Sequence, residues 1–165
     1  DKDAVSACVI LAEIAAWAKD QGLSLYQLLQ KIYVEYGFSK EKGISVVKKG
    51  KSGAEEIEAM MKKFRENPLT EIAGSKVTYF YDYSTLKGKD YAENETVTLD
   101  MPTTSNVLQY FTEDNTKVSI RPSGTEPKIK FYCEVHSKVK SIDELPEAEK
   151  AAEEKINQIK ASLGI

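Results

Sequence analysis

The sequence predicts an α+β protein with a mainly antiparallel sheet, preceded by a helical hairpin. Residues 4–37 carry two helical patterns joined by a short turn. Beyond Gly43, short apolar alternations take over, and they lie between two amphipathic helical patterns rather than alternating one-for-one with them. The strands are close together in sequence and separated by turn residues, as antiparallel neighbours are.

Residues 4–19 contain neither Gly nor Pro and are rich in Ala and Leu-type helix formers. Nearly every position is apolar, with only Ser6 and Glu13 intervening before Lys19. A helix that is hydrophobic all round belongs in the middle of a larger layered structure. Helix 4–19 is therefore expected to lie partly uncovered, and to self-associate with another copy or pack on the second domain. Asp20-Gln21-Gly22 ends it, with Gly22 as the cap. Ser24-Leu25-Tyr26-Gln27 is a capping box opening a second helix, whose Leu25, Leu28, Leu29, Ile32, Tyr33 and Tyr36 form one apolar face. The short turn makes the pair an antiparallel hairpin. Gly37 closes it, and the polar stretch Phe38–Gly43 reads as a boundary or hinge.

Residues 43–49 read as a short strand. Ser52-Gly53-Ala54-Glu55 then caps a helix whose Ile57, Met61, Met60 and Phe64 face inward and which ends at Asn67-Pro68. Residues 75–83 alternate, with Val77, Tyr79, Tyr81 and Tyr83 on one side. Residues 84–95 read as a polar loop, Val97 and Leu99 as a short strand, and Val107–Phe111 as an element of open type. Glu113-Asp114-Asn115 is a turn before the strand 117–121. The strongest strand is 128–135, with Ile129, Phe131, Cys133 and Val135 inward. A last helix follows 141–146, with Ala148, Ala152, Ile156, Ile159 and Leu163 on one face.

Composition narrows the function. The 165 residues include 23 Lys+Arg against 26 Asp+Glu, a formal charge of −3 that provides no general field for nucleic acid, so an anion site must be local. No apolar run approaches the roughly 18 residues a membrane span needs. Cys8 and Cys133 are read as reduced, buried thiols in a cytoplasmic protein, and the single His136 leaves no histidine metal cluster. The opening residues contain no initiator Met and no leader pattern, which reads as an excerpt from a longer chain.

The densest group of ligand-type residues is Arg121-Pro122-Ser123-Gly124-Thr125-Glu126-Pro127-Lys128. Arg121 offers a planar fork for two oxygens, and Ser123 and Thr125 supply hydroxyls. Gly124 permits close backbone approach and an unusual φ, so that N–H groups can converge on an anion. Pro122 and Pro127 stiffen the loop, while Lys128 and Lys130 add positive potential. Composition alone favours a plain polar hairpin loop, and the density of donors argues for the anion. Elsewhere, Lys49-Gly50-Lys51-Ser52 lacks the first glycine of a P-loop, because Ser45 stands there, so Ser52 is read as a helix cap. Tyr79, Tyr81 and Tyr83 could stack bases, but Asp82, Asp90, Glu93 and Glu95 around them favour sheet packing. Glu55, Glu56 and Glu58 read as a solvated helix face. Glu126 has no second carboxylate at a spacing that acid–base work would use.

Arg121 through Tyr132, RPSGTEPKIKFY, closely resembles the C-terminal phosphate-binding signature of the α-D-phosphohexomutase superfamily, the phosphoglucomutases and phosphomannomutases. Asp1–Ala7, Asn67-Pro68 and Ile72–Val77 resemble it more weakly. The resemblance implies a final α+β domain with a four-stranded sheet flanked by two helices, of TATA-box-binding-protein-like type. It makes residues 1–37 the helical tail of a third domain and 38–165 the fourth. It implies an isomerase that interconverts hexose 1-phosphate and hexose 6-phosphate, such as glucose or mannose phosphate, through a phosphoserine. Substrate phosphate would be held by Arg121, Ser123, Gly124, Thr125 and Lys130. The phosphoserine loop T-A-S-H-x-P, the Mg2+ loop D-G-D-x-D-R and the sugar loop G-E-x-S-G are absent from this sequence. The expectation is a fragment with no catalytic residue and no metal of its own, inactive alone and partnered by the parent's remaining domains. The competing expectation is a standalone anion-binding or protein-interaction module.

Overall fold

The structure, a computed structural model, describes residues 3–48 and 50–165, without the side chain of Lys51. Asp1, Lys2 and Lys49 lie outside the described residues, and so do the parts of the motifs above that fall on them. The chain divides into two compact units, one running up to Phe38 and including Ser137–Glu149, the other comprising Ser39–His136 and Lys150–Ile165.

The first unit holds α1 (Ala4–Asp20) and α2 (Leu25–Tyr36). Asp3 caps α1 by accepting from the Ser6 amide at 3.0 Å. At its other end Gly22, at φ 71°, lets the Gly22 and Leu23 amides reach back to the Lys19 and Ala18 carbonyls, both at 2.9 Å. This is the glycine-terminated helix end in which two orphan carbonyls are satisfied. Ser24 and Gln27 form the expected reciprocal capping box on α2. A 3-10 turn, Ile142–Glu144, leads into α4 (Leu145–Leu163). Among apolar side chains here only Ala18, Phe38, Val139 and Leu145 are buried, whereas Val9, Ile10 and Trp17 are 59, 59 and 55% exposed. Cys8 is exposed as well, against the expectation of a buried thiol, because α1 has too little chain around it to cover all its sides.

The second unit is built on an eight-stranded sheet in the order β1-β8-β7-β6-β3-β4-β5, with β2 beside β3. The strands are β1 (Phe38–Val47), β2 (Glu71–Ile72), β3 (Ser75–Asp82), β4 (Lys87–Asp90), β5 (Glu95–Thr98), β6 (Leu108–Thr112), β7 (Lys117–Pro122) and β8 (Lys128–Ser137). The pairings from β2 through β8 are antiparallel. One face is the core. Ile120 lies opposite Phe131 and Leu108, and Val118 opposite Cys133 and Tyr110, and all of these side chains are buried. The helix α3 (Gly50–Glu66) lies over this face, with Phe64 edge-on to Phe131 at 6.2 Å and its carbonyl accepting from the Tyr110 hydroxyl at 3.0 Å. From α4, Ala152, Ile156, Ile159 and Leu163 are buried. The opposite face carries Tyr81, Gln109, Ser119 and Tyr132 in one cross-strand row.

Several expectations are corrected. The sheet has eight strands, not the four the resemblance implies, and the segment 84–95 is not a loop. It forms most of the β4–β5 hairpin, whose polar residues face solvent and give no apolar alternation to read. Gly88 is required there, since a Cβ would fall 2.4 Å from the Tyr81 ring. The division between the two units falls at Phe38 and Ser39, within the stretch read as a boundary, and Phe38–Gly43 itself is extended as the first half of β1, as an edge strand with one solvated face can be. Val77 does not share a face with the tyrosines. The register shifts between Val77 and Tyr79, so Val77, Phe80 and Asp82 are buried, and Tyr79, Tyr81 and Tyr83 stack along the other face, with 5.9 and 6.5 Å between neighbouring rings. Ser52 lies within α3 rather than capping it, because the helix begins at Gly50.

Candidate functional site

The strands β7 and β8 end in register at Pro122 and Ile129, and the chain between them forms a short, braced loop. The Ser123 amide donates to the Lys128 carbonyl at 2.8 Å, and the Lys128 amide donates to the Glu126 carbonyl at 2.7 Å. From outside, the Lys48 amide donates to the Pro127 carbonyl at 2.8 Å. The Ser123 hydroxyl oxygen accepts from the Glu126 amide at 3.3 Å, which ties the loop across its middle and leaves the hydroxyl proton available to donate. Lys128 is paired with Glu126. That hydrogen bond, and then the lysine's charge, hold the Glu126 carboxyl below its ordinary range, so it is a partnered carboxylate and not an acid awaiting a proton.

A cavity of about 730 Å3 opens between this loop and α3. Ser123, Gly124 and Thr125 form one wall, and Glu58, Met61 and Arg65 lie on the other. Gly124 does not have a positive φ, contrary to expectation. A Cβ there would meet no atom of the chain within 4 Å, so its contribution is open access to the peptide from the cavity side. Arg65 is held in place, with Nε donating to the Asp82 carboxylate at 2.8 Å and Nη2 to the Asn106 side-chain oxygen at 3.0 Å. Burial would raise the Asp82 pKa, but hydrogen bonds from Ser84 and Arg65 outweigh it and hold the carboxyl below its usual value. Asp82 is therefore charged at neutral pH, and there the two nearly cancel at long range.

Of the residues expected to touch phosphate, Ser123, Gly124 and Thr125 come together on the cavity wall. Arg121 and Lys130 do not line it. They stand directly opposite each other across β7 and β8, with Arg121 exposed and Lys130 half-buried. Among the described residues no carboxylate lies within ion-pair distance of either cation. Glu58, Arg65 and Asn106 belong to the cavity without having been expected there. They lie far from the loop in sequence and form no motif with it, and no sequence signal joined them, because the register shift that turns Asp82 inward is set by pairing with β6. Glu56 does behave as a helix-surface residue, pairing with Lys48 at 2.9 Å.

Among the described residues there is no group of three or more His, Cys, Asp or Glu side chains placed to hold a metal ion, so the Mg2+ of the implied parent enzyme has no fitting donor set here. His136 faces Glu134 at 2.9 Å. Burial pushes the Cys133 thiol up to about 11, which makes it a packing group. Among the described residues no helix is long and apolar enough to cross a membrane.

An antiparallel sheet with a helix over one face, ending in a braced hairpin loop rich in donors, defines an α+β domain. The chain belongs to the family described as phosphoglucomutase/phosphomannomutase, C-terminal domain, whose model matches residues 44–152. It is 35% identical over 136 residues to a phosphoglucomutase of Staphylococcus haemolyticus, covering 82% of this chain and 24% of that protein. To a phosphoglucomutase of Staphylococcus saprophyticus it is 32% identical, covering 88% of this chain and 26% of that protein. The chain thus spans about a quarter of the length of these relatives. Among solved structures it is similar to the open form of pp63/parafusin, a phosphoglucomutase from Paramecium, with a TM-score of 0.47 and 16% identity over 86% of this chain and 23% of that one.

Proposed function

We propose that this chain is the substrate-phosphate-recognition part of a hexose-phosphate mutase, an isomerase that interconverts hexose 1-phosphate and hexose 6-phosphate. Residues 38–165 are its fourth domain and residues 1–37 the helical tail of its third. Phosphoryl transfer and Mg2+ belong to other domains of the parent, and the chain alone has no mutase activity. The loop grips the phosphate that is not being transferred, and that remote binding energy orients the sugar toward the nucleophile. In this reading Ser123 and Thr125 donate hydroxyls and Gly124 leaves its peptide open to approach. Arg121 and Lys130 supply the charge.

The observation that carries the reading is the braced 123–127 loop, open along Gly124, beside two cations that have no carboxylate within ion-pair distance among the described residues. The uncovered apolar sides of α1 support a helix made to be covered by further protein. Two unpaired cysteines suit a cytoplasmic setting.

The test is an NMR titration of the chain with inorganic phosphate. Shifts concentrated in Arg121–Lys130 are the expected result, and they disappear with Arg121→Ala and Ser123→Ala. Shifts confined to other residues would remove the loop from the site.

A further inference from the structure

The second unit holds a smaller cavity, about 270 Å3, where the core side of β3 meets β4. Residues directly opposite on paired strands share a face. Lys89 lies opposite Phe80 and Lys87 opposite Asp82, so both lysines stand on the side of those buried residues, and both line the cavity. Asp82 also lines it, but its carboxylate is taken by Arg65 at 2.8 Å and by the Ser84 hydroxyl at 2.6 Å. Among the described residues no carboxylate lies within ion-pair distance of Lys87 or Lys89. Arg65, at the end of α3, borders the cavity with its fork fixed by Asp82 and Asn106, leaving three of a guanidinium's five N–H donors unused. Pro68, Phe80 and Tyr91 supply apolar surface, and the Lys89 ammonium is held 5.2 Å from the centre of the Tyr91 ring.

We propose that this cavity binds a nucleoside monophosphate, its phosphate on Lys87 and Lys89 and its base against Pro68 and Phe80. The proposal is independent of the reading of the 123–127 loop and involves none of that loop's residues. Asp82 offsets the charge of Arg65, so the two lysines set the charge of the cavity and call for an anion. The rest of the ligand is selected by what the cavity lacks. Its one lining carboxylate is already engaged, so a polyol would leave its hydroxyl protons without an acceptor. A nucleobase instead presents carbonyl and ring-nitrogen acceptors along its edge, which match the spare Arg65 donors, and flat faces, which match the apolar surface. The volume is just under the roughly 300–1,000 Å3 of small-molecule sites, which suits one ring system and one phosphate and excludes a macromolecule. Asp82, Asn106 and Tyr91 act as positioning residues, because they fix Arg65 and Lys89 before the ligand arrives and reduce what must be ordered on binding.

The experiment is a set of NMR titrations of the 165-residue chain with adenosine 5′-monophosphate, inorganic phosphate and glucose 6-phosphate. The nucleotide is expected to shift Phe80, Lys87, Lys89 and Tyr91, and to bind there more tightly than either of the other two. Lys87→Gln with Lys89→Gln is expected to weaken the nucleotide at least about tenfold, since two charge-assisted contacts are lost. Both lysines are exposed, so a thermal melt of this variant should match the wild type. Phosphate shifts at Arg121–Lys130 should be the same in wild type and variant. Equal affinity of the nucleotide and inorganic phosphate at Lys87 and Lys89, or of the nucleotide and glucose 6-phosphate, overturns the assignment of a nucleobase. Nucleotide shifts confined to Arg121–Lys130, or unaltered by the double substitution, overturn the site and leave the loop reading intact. Nucleotide shifts at Lys87 and Lys89 with none from phosphate at Ser123–Thr125 sustain the site while the loop reading fails.

Discussion

The two units of this chain use apolar residues in opposite ways. In the second unit, alternating strands bring Phe131, Ile129, Ile120, Val118 and Tyr110 to 0% exposure beneath α3. In the first, a helix with apolar residues on nearly every side leaves Val5, Val9, Ile10, Leu11 and Trp17 more than half exposed. The difference follows from geometry. A strand with period two needs cover on one face only, and a helix crossing that face supplies it. A helix that is apolar all round needs neighbours on several sides, and a two-helix unit cannot provide them. The second unit therefore holds its own core, while the first leaves apolar surface uncovered.

The largest test of this contrast is a pair of truncations. Phe131→Ala should cost about 3–5 kcal/mol in denaturant unfolding, as emptying a filled core site does. Trp17→Ala should cost less than about 0.5 kcal/mol, as an exposed substitution does. A Trp17→Ala cost matching that of Phe131→Ala would abolish the contrast.

Next in size is an effect on binding alone. In the full-length enzyme, Arg121→Ala should weaken binding of the substrate phosphate by about 2–3 kcal/mol, since a charge-assisted pair is lost. Because Arg121 is exposed, the melting temperature should not move. Steady-state kinetics and calorimetry on the same preparation separate the two, and unchanged kinetics would remove the role assigned to this arginine.

Asp82 sharpens the account of the ion pair that clamps Arg65 of the cavity wall. Its folded-state pKa is lowered, so it contributes stability above the ordinary carboxylate pKa of about 3.9 and loses it as pH falls through the lowered value. Asp82→Asn should cost about 1–3 kcal/mol at neutral pH and flatten the stability profile below about pH 4. Urea midpoints measured from pH 7 down to pH 2 check this, and a slope unchanged by Asp82→Asn would contradict the role given to this pair.

The smallest effect concerns the first unit. Val9→Lys with Ile10→Lys should leave the unfolding free energy within about 0.5 kcal/mol and shift any self-association of the chain to higher concentration. Sedimentation velocity at several loadings reads this directly. An identical concentration dependence in wild type and variant would show that this face does not pair with another copy.

Legibility in the sequence followed how local each cause was. The strand 128–135 and its inward residues could be read directly, because four apolar side chains at period two admit one burial pattern. The capping box at Ser24 and Gln27 was equally plain, being a bond between residues three apart. The β4–β5 hairpin was missed because Lys87, Lys89 and Thr96 have nothing apolar to alternate with. The displaced face of Tyr79, Tyr81 and Tyr83 was missed because the register shift beside Thr78 is set by pairing with β6, and Thr78 itself is held there by donating to the Phe111 carbonyl at 3.1 Å. The loop of the site was legible as a run of ligand-type residues. Its facing wall on α3 was not.

The sequence by itself determined the class of the protein, the order of its main helices and strands, the inward set of β8 and the donor-rich loop from Arg121 to Lys128. Those depend on residues a few positions apart, where period, capping and turn chemistry act. Only the tertiary structure decided that the sheet would widen to eight strands, that Ser123–Thr125 would face a cavity from which Arg121 and Lys130 are absent, and that Arg65 would be fixed within it by Asp82 and Asn106. Those outcomes depend on long-range pairing, in which the partner of each group is chosen by how strands and helix meet and not by distance along the chain.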